Sequence, residues 1–266
     1  MRLLITNDDG IEAPGLHALT RAMVDAGHDV VVAAPIGDRS GSGAAIGNIQ
    51  PEGDIRAEPY ELPDLPGITA FGVDGPPALA VMAGRLGAFG PVADLIVAGI
   101  NPGNNTGRAT LHSGTVGAAL TASNFGCSAV AVSIGWSDAP HWATAGAYAV
   151  AAVEWVASAP PKTVVNLNLP DRPLHEIRGA RWAELAPFGT VRVHVGEPIE
   201  GRLQVELRET GHVLPPDTDT ALVEEGFAAV TLLTGIRAAP AEPVAEAIEK
   251  SVERTPSVDG AGAESA

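Results

Sequence analysis

From Leu3 to Leu167, short apolar runs alternate with segments whose apolar residues recur three and four positions apart. That alternation marks strand–helix–strand units, and it restricts the chain to an α/β fold with a mostly parallel sheet flanked by helices. Leu3–Thr6, Val30–Ala34, Asp94–Gly99, Ala129–Ile134 and Thr163–Leu167 read as buried strands. Between the first two, a helix opens at Pro14, carries Leu16, Leu19, Met23 and Ala26 along one face, and ends at Gly27. Helices are also expected from Pro76 to Leu86, Gly114 to Ser123 and Ala143 to Ala159, with a pair of short strands at Ile55–Leu62 and Ile68–Val73.

Beyond Pro170 the rhythm changes. Arg178–Leu185, Val191–Val195 and Arg202–Leu207 read as antiparallel strands of a smaller β-hairpin arm. Phe227–Leu233 reads as a strand returning to the main body, followed by a helix near Val244–Val252. The organisation expected is a core at 1–170, an arm with returning strand and C-terminal helix at 171–253, where dimer contacts often form, and a small, acidic, disordered tail at 254–266.

Composition narrows the partners. The 266 residues carry a net charge of −16 with no basic patch, which disfavours duplex nucleic acid and anionic membranes. Lys162 and Lys250 are the only lysines, so an anionic small molecule has to be held by local arginines, backbone amides or a metal. The lone Cys127 excludes an internal disulfide and any cysteine-rich metal site, and reads as core packing. Asp8 and Asp9 interrupt the N-terminal apolar run, so no signal peptide is legible there. No apolar stretch reaches the ~20 residues that span a bilayer, and a cytoplasmic protein is expected.

The first strand empties into Asn7-Asp8-Asp9-Gly10, which places two adjacent carboxylates where ligands bind in open α/β sheets. Ionised side by side they repel, and a cation between them relieves that. Such hard oxygen donors suit Mg²⁺, Mn²⁺ or Ca²⁺ rather than zinc or copper. The plainer alternative is that one of them caps the helix opening at Pro14. If the strands Leu3–Ile5 and Leu95–Ala98 are parallel neighbours, Asn101 leaves the sheet from the same edge, and Arg39-Ser40-Gly41 brings a hydroxyl there. Ser113-Gly114-Thr115-Val116 opens a helix of small residues, where unpaired amides and two outward-facing hydroxyls can cradle a phosphate or where Ser113 simply caps the helix. No G-x-G-x-x-G turn follows the first strand, which argues against a dinucleotide-binding dehydrogenase.

The set Leu3–Gly15 (LLITNDDGIEAPG), Arg39-Ser40-Gly41, Ala98-Gly-Ile-Asn101 and Ser113-Gly-Thr-Val-Gly-Ala-Ala119 resembles the SurE survival-protein phosphatases, which act as 5′/3′-nucleotidases. Gly103, Asn105, Gly107, Asn166-Leu-Asn168-Leu-Pro170, Thr218-Asp219 and Gly226-Phe-Ala-Ala-Val-Thr231 extend the likeness in the same order to about residue 235. The resemblance implies a Rossmann-like domain with a hairpin arm and a swapped C-terminal element, assembled as a homodimer or homotetramer. It implies one divalent cation held by Asp8, Asp9, Ser40 and Asn101, and a nucleoside monophosphate whose phosphate lies against Asn105, Ser113, Gly114 and Thr115. Asp8 and Asp9 would be catalytic, with Asp8 orienting or deprotonating a water, or attacking phosphorus itself.

Departures from that family fall around the site. Ile36-Gly37-Asp38 replaces its Asp-Arg after Pro35, Leu79-Ala80 replaces Asp-Cys, Arg108-Ala109-Thr110 replaces an acidic pair, and His112 replaces a tyrosine. Arg39 and Arg108 are phosphate-pairing candidates or solvated loop residues. His112 is a general acid or structural, and Trp136 stacks on a base or packs. Three functions follow: a 5′-nucleotidase, a phosphatase for another phosphorylated metabolite, or a paralogue that binds metal and nucleotide without turnover.

Overall fold

The computed structural model describes residues 1–47, 49, 53–187, 191–197, 202–209, 213–237, 244, 248 and 249. Its strands are β1 (Arg2–Thr6), β2 (Asp29–Pro35), β3 (Ala57–Pro59), β4 (Thr69–Val73), β5 (Leu95–Pro102), β6 (Ser128–Ile134), β7 (Val164–Leu169), β8 (Ala180–Trp182), β9 (Val191–Val195), β10 (Val205–Glu209) and β11 (Ala228–Leu233). The helices are α1 (Pro14–Asp25), α2 (Pro77–Arg85), α3 (Gly114–Asn124), α4 (Trp142–Ala157) and α5 (Asp219–Glu224). Nine strands form one mixed sheet in the order β3-β4-β2-β1-β5-β6-β7-β11-β8, while β9 and β10 pair antiparallel.

Alternation along β1 decides the two layers. Leu3 and Ile5 enter the core beneath α1 and α4, with Leu16, Leu19, Met23, Ala149 and Val153. Leu4 points the other way, into the core beneath α2 and α3, with Leu79, Val81, Val116 and Ala119. Both sheet faces are therefore covered, which explains why the central strands read as unbroken apolar runs instead of alternating ones. Leu3, Leu4 and Ile5 are each at most 1% exposed, and a side chain of that size contributes about 1.5–3 kcal/mol on burial.

Helix ends follow sequence chemistry. Pro14 occupies the first turn of α1, and Ala13 is its N-cap, with no side-chain cap bond. Asp8 and Asp9 are therefore not the caps of that helix. Gly27, at φ +82°, lets the chain turn out of α1 and donates to the Val24 carbonyl at 2.9 Å. Ala26 lies beyond the last helical turn and is exposed, against the expectation that it shares the buried stripe.

Other expectations need revision. Residues 178–185 do not belong to an antiparallel arm: Ala180–Trp182 joins the main sheet, parallel to β11. The strand expected over Ile55–Leu62 shortens to Ala57–Pro59, and Leu62 is buried outside it. A short helix at Asp219–Glu224 and a 3₁₀ turn at Gly107–Leu111 carried no recognised periodicity. Of the helix expected near Val244–Val252, Val244, Ile248 and Glu249 are helical and the remainder lies outside the described residues, as does the 254–266 tail. Among the described residues no helix is long and apolar enough to cross a membrane.

Candidate active site

Six strands, β4, β2, β1, β5, β6 and β7, run parallel. Numbered by chain position, their spatial order is 3-2-1-4-5-6, which reverses between β1 and β5. Ligands in open α/β sheets bind at that reversal, outside the carboxyl ends of the strands. Asp8 and Asp9 follow β1, and Asn101 is the penultimate residue of β5. The register of β5 with β6 shifts between Ala98 and Asn101, and such an irregularity re-aims the side chains beyond it.

Asp8 is 3% exposed, and its partners come from far along the chain. Oδ2 accepts the Gly114 N–H at 3.0 Å, and Oδ1 accepts the Thr115 hydroxyl in a short bond. Its main-chain carbonyl accepts the Arg39 N–H at 2.7 Å, which ties in the loop after β2. The carboxylate thus sits at the N-terminus of α3, where amides and dipole favour negative charge. Burial still outweighs those bonds and raises its pKa above the ordinary carboxylate value. Gly114 makes this approach possible, because a Cβ there would lie 2.7 Å from Asp8 Cβ, Asp8 Oδ2 and Ser42 Oγ.

Asp9 is the unsatisfied member. Its Oδ2 is buried with no hydrogen-bond partner among the described residues. Burial first, then the charges of Asp8 and Asp38, push its carboxyl up to about 7. A half-buried carboxylate with one enclosed, unpartnered oxygen beside two other acidic side chains is suited to a cation. Asp38 joins this group from the loop after β2, two residues ahead of the expected ligand Ser40.

The other expected ligands divide. Asn101 commits Nδ2 to the Gly103 carbonyl at 2.5 Å, and no hydrogen bond among the described residues uses its Oδ1. Ser40 is exposed, and its hydroxyl and N–H both donate to Asp38 Oδ1, at 2.6 and 2.7 Å. No three His, Cys, Asp or Glu side chains among the described residues are grouped to hold an ion. A cation here would depend on amide and hydroxyl oxygens as well as on the acidic pair, a donor set that fits Mg²⁺, Mn²⁺ or Ca²⁺.

The α3 entrance differs from expectation. Thr115 is fully buried and turned to Asp8, so the two hydroxyls do not both face outward. Ser113 caps the helix by accepting the Val116 N–H at 3.1 Å. Thr115 holds Asp8 by this bond, and Thr115→Val should lower turnover or ion affinity about 10–100-fold while preserving the fold. A phosphate-release assay with an ion titration checks this; unchanged values remove Thr115 from that role.

Asn105 is held by an asparagine pair on β7. Its N–H donates to Asn168 Oδ1 at 2.7 Å, and its carbonyl accepts from Asn166 Nδ2 and Asn168 Nδ2 at 2.9 and 3.1 Å. Its own Nδ2 reaches Ser133 Oγ at 3.0 Å. Asp219, fully buried at the start of α5, accepts N–H groups from Gly107, further along this loop, at 2.8 Å and from Ala186 at 3.0 Å. Asp219→Ala would leave both amides unpaired at about 1–3 kcal/mol each. We expect about 3 kcal/mol lost, or roughly 6–12 °C in thermal midpoint for a domain of this size, measured by calorimetry.

Arg39 pairs with Asp74 at 3.2 Å, whereas Arg108 and His112 are exposed. Trp136 is 73% exposed and does not pack. Cys127 is buried with its thiol pushed up by desolvation, in keeping with a packing role.

A family model described as Survival protein SurE matches residues 3–189. A 5′-nucleotidase SurE from Solidesulfovibrio magneticus is 42% identical over 179 residues, covering 66% of this chain and 68% of the relative. Another from Nitratidesulfovibrio vulgaris (strain DP4) is 36% identical over 244 residues, covering 88% and 93%. A 5′/3′-nucleotidase SurE from Cronobacter sakazakii is 35% identical over 248 residues, covering 88% and 90%. The crystal structure of the SurE protein from Aquifex aeolicus matches 95% of this chain and 100% of that one, with a TM-score of 0.73 and 25% identity.

Proposed function

The chain belongs to the SurE survival-protein family, and from that premise we propose that it is a 5′-nucleotidase releasing phosphate from nucleoside monophosphates. The observation that carries this reading is the buried Asp9 oxygen, without a hydrogen-bond partner among the described residues, beside a fixed Asp8 at the sheet's strand-order reversal. Asp8, Asp9, Ser40 and Asn101 would hold one divalent cation, Mg²⁺, Mn²⁺ or Ca²⁺. When bound, that ion supplies charge neutralisation at the phosphoryl oxygens and acidifies water.

The chain's own residues do the positioning. Thr115 and the Gly114 amide fix Asp8, which then orients or deprotonates the attacking water, or attacks phosphorus itself. Ser113 and Asn105 line the phosphate side, Asn105 being locked by the β7 asparagines, while Gly114 and Thr115 serve that side through Asp8. Residues 171–253 are read as the oligomerising part, where Trp182, Val195, Leu203 and Val205 are all more than half exposed, in a homodimer or homotetramer.

The test is phosphate release from a panel of nucleoside monophosphates with Mg²⁺ or Mn²⁺ and with chelator. Ion-dependent release, abolished by chelator and restored by either ion, is expected. No release from any nucleotide under either ion would overturn the proposal.

A further inference from the structure

A cavity of about 350 Å³ opens beside Asp9, on the side of the sheet away from α3. Its walls come from Asp9, Glu12, Pro14 and Gly15 at the start of α1, Pro102 at the end of β5, and Trp142 at the start of α4. Asp9 therefore belongs to two places at once: the ion-holding edge and this cavity. From that juxtaposition we infer that the cavity seats the nucleoside half of the substrate, with Trp142 offering the aromatic surface and Glu12 accepting from sugar or base donors.

Three observations support the occupant. The volume lies in the range of small-molecule pockets, which are mostly apolar with a few placed polar groups. Trp142 with the two prolines supplies the apolar surface, and a base stacks on an aromatic side chain whatever its identity. Glu12 and Asp9 bring carboxylates, which when ionised only accept hydrogen bonds. A nucleoside is uncharged and carries O–H and N–H donors, whereas a second phosphate or carboxylate on the substrate would be repelled. On the opposite side α3 packs tightly on the loop after β2, where a Cβ on Gly117 would lie 2.1 Å from the Gly43 carbonyl oxygen.

Glu12 is also placed for the task. Tyr60 lies against it, and the phenol is pushed up by burial and by the Glu12 charge. Trp142 is held by close packing on Gly15, where an added Cβ would come within 3.1 Å of the indole. Glu12 is exposed, so its replacement leaves the core intact.

This inference rests on the phosphatase reading, and one experiment separates the two. Wild type, Glu12→Ala and Trp142→Leu are assayed on adenosine monophosphate and on p-nitrophenyl phosphate, which has neither sugar nor nucleobase. Each variant should lower the ratio of kcat/KM for the nucleotide over the aryl ester at least fivefold, chiefly through KM. Calorimetric titration with adenosine in the presence of chelator should show affinity reduced by a similar factor. Ratios and adenosine affinities equal to wild type in Glu12→Ala and in folded Trp142→Leu overturn the cavity assignment alone. Hydrolysis of neither ester by wild type overturns the phosphatase reading beneath it.

Discussion

Asp8→Asn lowers phosphate release from a nucleoside monophosphate by at least about a thousandfold, within the span assigned to a positioned acid or base, while far-ultraviolet dichroism stays native. The amide is nearly isosteric, and the strand before it is anchored by Leu3, Leu4 and Ile5, so the fold has no reason to fail. Two things are lost. One is the charge that would hold the cation, and the other is an acceptor: the amide cannot receive both the Gly114 N–H and the Thr115 hydroxyl on its two heads. Losing an acceptor in this buried site costs the ion-free protein about 1–3 kcal/mol. Stabilisation by added Mg²⁺ or Mn²⁺ should vanish, because a ligand raises stability only in proportion to its binding. Thermal melts with and without the ion read this independently of turnover. Activity within tenfold of wild type would exclude Asp8 from the chemistry.

Gly117→Ala is expected to be severely damaging for a single methyl group. The new Cβ would stand 2.1 Å from the Gly43 oxygen, 2.3 Å from its carbonyl carbon and 2.6 Å from the Ala44 nitrogen, all backbone atoms. Flexible side chains yield to such contacts; a main chain does not. Overpacking ordinarily costs about 1–3 kcal/mol, and a clash of this depth should exceed about 4 kcal/mol, a size kept for a few specific mechanisms. Either the protein fails to fold or the loop carrying Asp38, Ser40 and Ser42 moves off α3 and activity falls with it. Gly37→Ala on the same loop is the control, since no atom of the described residues lies within 4 Å of a Cβ there; it should stay within about 0.5 kcal/mol of wild type. Equal unfolding midpoints for the two variants would contradict this packing.

What could be read in advance was whatever local pattern encodes. The parallel strands announced themselves as apolar runs because both faces of the sheet are covered, and Pro14 and Gly27 punctuate α1 through their own backbone restrictions. The acidic pair was legible because two carboxylates after a buried strand are costly without a purpose. What stayed hidden depends on distant partners. β8 pairs with a strand met nearly fifty residues later, so its three exposed residues carry no trace of the sheet they join. Thr115 looked like an outward hydroxyl because nothing in SGTV records that Asp8 approaches from the neighbouring strand. Asp38 adjoins Asp9 only once the loop after β2 folds back against α3.

The bond from Gly114 to Asp8 spans 106 residues. An emerging polypeptide therefore exposes its acidic pair long before the groups that aim it have been synthesised, since folding proceeds from the amino terminus during translation. A fragment ending ahead of Ser113 would own both carboxylates and have no means to orient the first of them. Competence arrives late and all together, when α3 docks.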